Sequence, residues 1–308
     1  MVKRSTHDFK PDPRNEHILI YVNGEILPRS EAKISVFDSG FLLGDGVWEG
    51  IRLYNGHLVF WEAHVERLFA GARALDLDMG VTPDELRQIV LKTLKANQME
   101  SDVHLRLIVS RGLKRTPFQH PDANVGPATI VVIPEYKVPH QKIMDKGIRL
   151  HTVHVRRGTP DVQDPKLNTL SKLNCITACI QAAKAGADEA LMLDVRGFVS
   201  TCNSTNFFIV RDGSIWTSTG EYCLNGVTRS TIINICREQG YSVLEKDFSL
   251  VEVYSADEAF VTGTFAGVIP VIEVDGRPLS RGRRGPMTQR IQHWYLETIH
   301  SLYPPPLN

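Results

Sequence analysis

Two lysines six residues apart, Lys166 and Lys172, stand in the run Asp164 to Asn174, which reads Asp-Pro-Lys-Leu-Asn-Thr-Leu-Ser-Lys-Leu-Asn. The run follows an extended, alternating segment and leads into a helix. A lysine amine at such a junction is where an enzyme would hold an aldehyde through a Schiff base. The commoner fate of a lysine is a solvent-facing side chain, and that reading stands beside the chemical one for both residues. Three other places suit an anion. Arg52 lies two residues beyond Gly50 on one side of an extended chain and can face a pocket, although a surface ion pair explains a lone arginine equally well. Thr228, in Leu224-Asn225-Gly226-Val227-Thr228-Arg229, stands where a helix N-terminus offers free N–H groups, or acts as an ordinary capping threonine. Thr262-Gly263-Thr264-Phe265-Ala266-Gly267 is a small-residue turn whose amides can converge on an anion.

The elements that must position these residues can be read from periodicity and turn chemistry. Ile18 to Val22, Asn23-Gly24 and then Ile26-Leu27 spell a hairpin, and Val47 to Tyr54 with Asn55-Gly56 spells another, so an antiparallel sheet is expected. Trp61 to Leu75 has helical spacing, and Thr82-Pro83-Asp84-Glu85 opens a second helix. Strands are predicted over Val103 to Val109 and Thr129 to Ile133. The second half begins with a strand over Ile148 to Val155. A helix follows over Ser171 to Ala185, with Leu173, Ile176, Ile180 and Ala183 on one face. Short strands then run over 189–193, 207–210 and 214–217, and a helix over Thr228 to Gln239. The pattern is α+β, with meander-like sheets in two domains. Residues 1–16 read as a loose arm, 17–134 as a small domain, 135–147 as a linker and 148–303 as a larger domain, with Pro304-Pro305-Pro306 as a frayed end.

Composition narrows the class. The 308 residues carry 35 Lys+Arg and 35 Asp+Glu, so no global field favours nucleic acid or an anionic membrane. No apolar run approaches a membrane span, and the N-terminus has no hydrophobic leader core. Five scattered cysteines without a C-x-x-C pair fit reduced thiols and a cytoplasmic protein. Gly44 to Gly50 lacks the spacing of a dinucleotide loop and reads as a bulged strand. His151 and His154 point to opposite faces of a strand and do not form a metal pair. Arg281-Gly282-Arg283-Arg284-Gly285 reads as a solvated loop.

Taken together and in order, Gly46-Val47-Trp48-Glu49-Gly50-Ile51-Arg52, Ala185-Gly186-Ala187-Asp188-Glu189-Ala190-Leu191, Gly226-Val227-Thr228-Arg229, Thr262-Gly263-Thr264 and Gly285-Pro286-Met287-Thr288 resemble the class IV aminotransferases. These are the fold-type IV pyridoxal-phosphate enzymes, which include branched-chain and D-amino acid aminotransferases and aminodeoxychorismate lyases. The likeness runs from about Ile20 to Ile299. It implies a D-amino acid aminotransferase-like two-domain architecture, pyridoxal 5'-phosphate in the cleft, and a homodimer working on an amino acid and a 2-keto acid. By the same resemblance Arg52 binds the phosphate with Val227, Thr228 and Thr264, flanked by Gly226, Gly263 and Phe265. Leu224 packs on the ring, with Asn206 and Thr201 nearby. For substrate it points to Phe41, at the position of an active-site tyrosine, to His104 and Arg106, and to Arg115 in the loop after Arg111-Gly112, where a carboxylate would be gripped.

Two departures stand out. Counted from Asp164-Pro165 or back from Ala187-Asp188-Glu189, the family's Schiff-base lysine falls on Asn168, which cannot form an imine, and its following tyrosine falls on Lys172. Independently, the glutamate that meets the cofactor's ring nitrogen falls on Thr201, a neutral hydroxyl and therefore a weaker partner for a protonated nitrogen. Two readings follow. In the first the lysine has moved: Lys172 takes over, with Asn168 beside it, and Lys166 ranks second. In the second the chain keeps a phosphate cup but does not transaminate, acting as a lyase or binding a phosphate- or carboxylate-bearing ligand. Stereochemistry and side-chain class of the substrate stay open.

Overall fold

The computed structural model describes residues 6–305; residues 1–5 of the expected arm and Pro306 of the expected frayed end lie outside it. Two compact units divide the chain. The smaller comprises Pro11–Val138, Leu167–Lys172 and the chain from Tyr303; the other comprises the chain up to Lys10, Pro139–Lys166 and Leu173–Leu302.

The smaller unit is built on a six-stranded antiparallel sheet of β1 (Leu19–Val22), β2 (Glu25–Pro28), β3 (Gly46–Tyr54), β4 (His57–Leu58), β5 (Val103–Ser110) and β6 (Thr129–Tyr136), in the order β2-β1-β6-β5-β3-β4. Helices α1 (Ser39–Leu43), α2 (Trp61–Ala74) and α3 (Pro83–Ala96) complete it. Asn23 and Asn55 take positive φ in the two hairpin turns, as their Asn-Gly sequences demand. Thr82 and Glu85 close a reciprocal capping box at the start of α3. Alternation along β3 sends Val47, Glu49, Ile51 and Leu53 inward, all buried; Ile51 and Leu53 join the core with Val65 and Leu68 of α2 and Leu86 and Val90 of α3. Each such aliphatic side chain contributes about 1.5–3 kcal/mol by leaving water. Trp48, Gly50 and Arg52 are left on the opposite face.

The larger unit holds a nine-stranded sheet: β7 (Ile148–Thr152), β8 (Glu189–Leu193), β9 (Val199–Cys202), β10 (Asn206–Arg211), β11 (Ser214–Thr217), β12 (Val243–Glu245), β13 (Glu258–Gly263), β14 (Gly267–Val274) and β15 (Arg277–Pro278). Its helices are α4 (Gln141–Lys146), α5 (Pro160–Gln163), α6 (Leu173–Lys184), α7 (Val227–Glu238), α8 (Leu250–Tyr254) and α9 (Pro286–Leu302). The sheet is not the simple meander expected, because β7–β8, β7–β14 and β11–β12 pair in parallel.

Three further expectations need correction. Residues 6–16 are not a loose arm: Thr6 is buried, with its hydroxyl against that of Ser204, and Asn15 is buried, its amide bonded both to and from the backbone of Tyr136. The stretch 135–147 is not a bare linker, since β6 runs to Tyr136 and α4 fills Gln141–Lys146; the unit changes between Val138 and Pro139. Residues 167–172 belong to the smaller unit, because they hydrogen-bond along β3. The face of α6 shared by Leu173, Ile176 and Ile180 is exposed, with these residues 75%, 53% and 49% accessible. The face against the sheet is that of Ala178 and Ala182, small enough to let the helix sit close to Ala190 and Met192 of β8.

Candidate functional site

In the smaller unit the lysine-bearing segment is held by a free strand edge. β3 pairs with β5 along its length, but with β4 only at Leu53 and Tyr54, so Gly46 to Ile51 have one unpaired side. Residues 168–170 occupy it. Trp48 N donates to Asn168 O at 3.0 Å, Leu170 N donates to Gly46 O at 2.9 Å, and Val47 faces Thr169 in an antiparallel bridge. The indole N–H of Trp48 adds a bond to Thr169 O at 3.1 Å. There is no room for a side chain at Gly46, whose Cβ would run into the backbone of β5 and into Leu170.

On this scaffold Asn168 is buried and uses both ends of its amide. Nδ2 donates to Trp48 O at 2.6 Å, while Oδ1 accepts from Nζ of the half-buried Lys172 at 3.1 Å. The same ammonium lies 5.5 Å from the Trp48 ring centroid, and the Arg106 guanidinium stacks on that ring at 3.8 Å. Burial pulls the Arg106 pKa below the usual arginine value, against the raising influence of Glu135. Arg106 faces Gly50 across the strand pair and His104 faces Arg52. Gly50 keeps the space next to the buried His104 ring open, since a Cβ would come within 3.1 Å of it. The half-buried Arg52 lies 5.2 Å from the Tyr54 ring. Neither Arg52 nor Arg106 is in ion-pair contact with a carboxylate among the described residues.

The remaining candidates of this unit are less engaged. Phe41 is 67% exposed on α1, and Arg115 is exposed in its loop, joined to Ala123 through its backbone. Arg111 is committed elsewhere: it grips Asp45 through Nε and Nη2 at 2.7 and 3.0 Å and donates to the carbonyls of Leu75 and Asp76. Burial works to raise the Asp45 pKa, but the bonds from Arg111 and Ser39 bring it below the ordinary value.

In the larger unit a second group of candidates gathers around β9, β10 and the start of α7. Gly226 is the N-cap of α7 and no side chain caps that helix, leaving the first-turn N–H groups of Val227 and Thr228 available to an anion. A Cβ at Gly226 would collide with the Asn206 side chain, and Asn206 Nδ2 donates to Leu224 O at 2.9 Å, fixing the approach to the helix. Gly263, Thr264 and Phe265 form the tight connection from β13 to β14, with Phe265 buried and stacked on His7 at 5.7 Å. Thr201 is buried, and its hydroxyl donates to Thr205 O at 2.8 Å. Lys166 is exposed; its backbone N–H closes a turn onto Asp164.

Trp48 and Glu189 were not singled out from the sequence. Trp48 lay in a matched motif without a role, and only the register of β3 shows that its ring supports two cations. Glu189 heads the wholly buried strand Glu-Ala-Leu-Met-Leu, so an acid opening an apolar run was the available signal. Its Oε1 accepts from Ser204 N, Ser204 Oγ and Thr205 Oγ1 at 2.9, 2.7 and 3.1 Å, while Oε2 has no partner among the described residues. Burial raises the Glu189 pKa despite these bonds.

The chain was compared with known proteins. Residues 46–274 match the family model described as amino-transferase class IV. Branched-chain-amino-acid aminotransferase-like protein 2 of Arabidopsis thaliana is 39% identical over 285 residues, 92% of this chain and 51% of its own length, so this chain spans about half of that relative. The putative branched-chain-amino-acid aminotransferase of Methanocaldococcus jannaschii is 39% identical over 89% of this chain and 93% of its own. Among solved structures, the T.th. branched-chain amino acid aminotransferase with pyridoxamine 5'-phosphate gives a TM-score of 0.86 at 32% identity, covering 94% of this chain and 96% of that one.

Proposed function

Because the chain belongs to the class IV aminotransferases, we propose that it is a pyridoxal 5'-phosphate enzyme of branched-chain-aminotransferase type, acting on an amino acid and a 2-keto acid, with Lys172 as the amine that takes the cofactor's aldehyde. The observation that carries this reading is the 3.1 Å contact between Lys172 Nζ and the side chain of Asn168, which stands in the family's lysine position. The amine is therefore one hydrogen bond from the side chain it replaces. Lys166 is exposed.

The residues present fit the cofactor's phosphate. The uncapped N-terminus of α7, with glycine at its cap and Thr228 buried in its first turn, offers N–H donors to a dianion. Val227, Thr228 and the Gly263-Thr264-Phe265 turn would hold the phosphate from the larger unit, and Leu224, braced by Asn206, would lie under the ring. In the smaller unit, taken by itself, Arg52 stands where the family carries an arginine, and Arg106, its guanidinium carbon 3.8 Å from the Trp48 ring centroid, is suited to a carboxylate. His104 flanks that position, and Phe41 and Arg115 are the outer candidates. When bound, pyridoxal phosphate supplies the electron-withdrawing ring for amino transfer. Lys172 would hold the aldehyde and carry the substrate proton; Trp48 sets an aromatic ring 5.5 Å from that amine.

The hydrogen bond of Thr201 favours a second reading. Its hydrogen is committed to Thr205 O, so it can meet a ring nitrogen only with a lone pair and brings no negative charge to a protonated ring. A weaker electron sink suits a lyase or a non-transaminating relative. Association into a homodimer is part of the proposal, supported by the exposed apolar face of α6. Five free cysteines support a cytoplasmic location, and no helix among the described residues is long and apolar enough to cross a membrane.

The test is direct. Purified protein mixed with pyridoxal phosphate should keep a visible band through desalting, and borohydride should fix the label on the peptide carrying Lys172. Lys172→Ala should lose both. Protein that takes up no cofactor overturns the proposal, while a label on Lys166 moves the assignment. Alanine or glutamate supplied with a keto acid then separates amino transfer from pyruvate release.

A further inference from the structure

We propose that Asn168 is the positioning residue for Lys172, and that the changes from the family pattern at positions 168 and 172 are one coupled exchange. The inference rests on the reading of Lys172 as the aldehyde-bearing amine and adds what aims it. Lys172 lies between the edge segment 168–170 and α6, outside any helix or strand. Its long side chain therefore needs a partner to fix the amine in one place. Asn168 provides that partner from a rigid base. Its backbone O accepts from Trp48 N at 3.0 Å, its Nδ2 donates to Trp48 O at 2.6 Å, and its remaining acceptor, Oδ1, faces Nζ at 3.1 Å. The amide is thus oriented by β3 before it meets the amine, and Trp48 supports that amine from its ring at 5.5 Å.

A lysine at position 168 could not do this. An ammonium has donors and no acceptor, so it could supply a hydrogen to Trp48 O but could not receive one from Lys172, and two like charges would compete for the space. An aspartate would keep the acceptor but lose the donor to Trp48 O. Asparagine satisfies both partners at once. Single reversion of Asn168 to the family's lysine therefore conflicts with Lys172, whereas reversion of both positions does not.

The experiment follows the amine itself. Full-length wild type, Asn168→Ala and Asn168→Asp are treated with formaldehyde and cyanoborohydride from pH 6 to 10. Methylation of Lys172 is measured by peptide mass spectrometry, with exposed Lys166 as the internal reference and circular dichroism as the check on folding. Removing the acceptor favours the neutral amine, so Asn168→Ala should raise Lys172 labelling near neutral pH. A carboxylate beside the amine favours the ammonium, so Asn168→Asp should lower it about tenfold, the effect of one pKa unit. Lys166 should not change in either. Simple loosening of the segment would raise labelling in both variants, so shifts of the same sign, or none, overturn the proposal. If Asn168→Ala does not fold, Asn168→Asp decides alone, and labelling at or above the wild-type rate overturns it. The underlying reading fails separately, when pyridoxal phosphate and borohydride label no lysine or only Lys166 in wild type.

Discussion

Arg67 of α2 grips Glu49 of β3 with two parallel hydrogen bonds, Nε to Oε1 at 2.8 Å and Nη2 to Oε2 at 2.7 Å. His64 Nδ1 lies 2.7 Å from the same Oε2. Glu49 is fully buried and sits between Trp48 and Gly50, so this cluster fixes the strand whose other face carries the candidate site. Burial alone would push the Glu49 pKa up, but the bonds from His64 and Arg67 hold it below the usual carboxylate range. A depressed carboxyl adds stability above its unfolded-state value and loses it as pH falls through the native value. Wild type should therefore lose part of its stability below about pH 4.5. Glu49→Ala, which takes the carboxylate away from the buried His64 and the half-buried Arg67, should cost about 3–5 kcal/mol at pH 7. Urea unfolding at pH 7 and pH 4 checks both; a cost under about 1 kcal/mol sinks the account.

Gly46 and Leu170 make a second test. The Leu170 N–H bonds to Gly46 O at 2.9 Å, and a Cβ at Gly46 would lie 2.8 Å from Leu170 Cδ1 and 2.8 Å from Ser110 Cα. Backbone on one side cannot yield easily. Gly46→Ala should cost about 1–3 kcal/mol, the usual range for overpacking. It should also free residues 168–170 from β3, so hydrogen exchange at Leu170 should quicken by more than the change at β5 amides. Equal changes at both would show general destabilisation instead.

Much of this arrangement was legible in the sequence. The Asn-Gly turns, the Thr82 cap and the strand ending at Tyr54 are local chemistry, and the structure places them where the residues call for them. The segment of interest, Asp164 to Asn174, could also be picked out, as could its asparagine in the lysine position. What could not be read was non-local. That residues 168–170 serve as an edge for β3 depends on a strand some 120 positions away. Spacing puts Leu173, Ile176 and Ile180 on one face of α6, but which side meets the sheet depends on Ala178 and Ala182, whose value is their small size. The pairing of Arg111 with Asp45, 66 positions away, is likewise non-local.

Glu189 yields a prediction of opposite sign from Glu49. Burial holds its native pKa above the unfolded-state value, so the folded protein binds its proton more tightly than the unfolded chain. Stability from this group is then full below the unfolded value, declines as pH rises through it toward the native value, and stays reduced above. Glu189→Gln removes the titration while keeping an acceptor for Ser204 and Thr205. Calorimetry from pH 5 to 8 should show wild type losing melting temperature relative to Glu189→Gln as pH rises. Parallel curves would remove Glu189 as the cause.

The exposed face of α6 gives the last prediction. Leu173, Ile176 and Ile180 recur at helical spacing on one side, each about half accessible or more, and Ala178 and Ala182 on the other side already account for the helix's attachment to its own sheet. Burying three such side chains against a second copy would contribute about 1.5–3 kcal/mol each, before the cost of association. Sedimentation at micromolar concentration should therefore find two chains in wild type. Ile180→Glu places a charge on that face without touching the alanines that attach α6, so the chain should fold and sediment as one. Its melting curve should then depend less on protein concentration than that of wild type. If Ile180→Glu sediments as wild type does, α6 is not where the copies meet; if wild type is a single chain throughout, the homodimer is withdrawn.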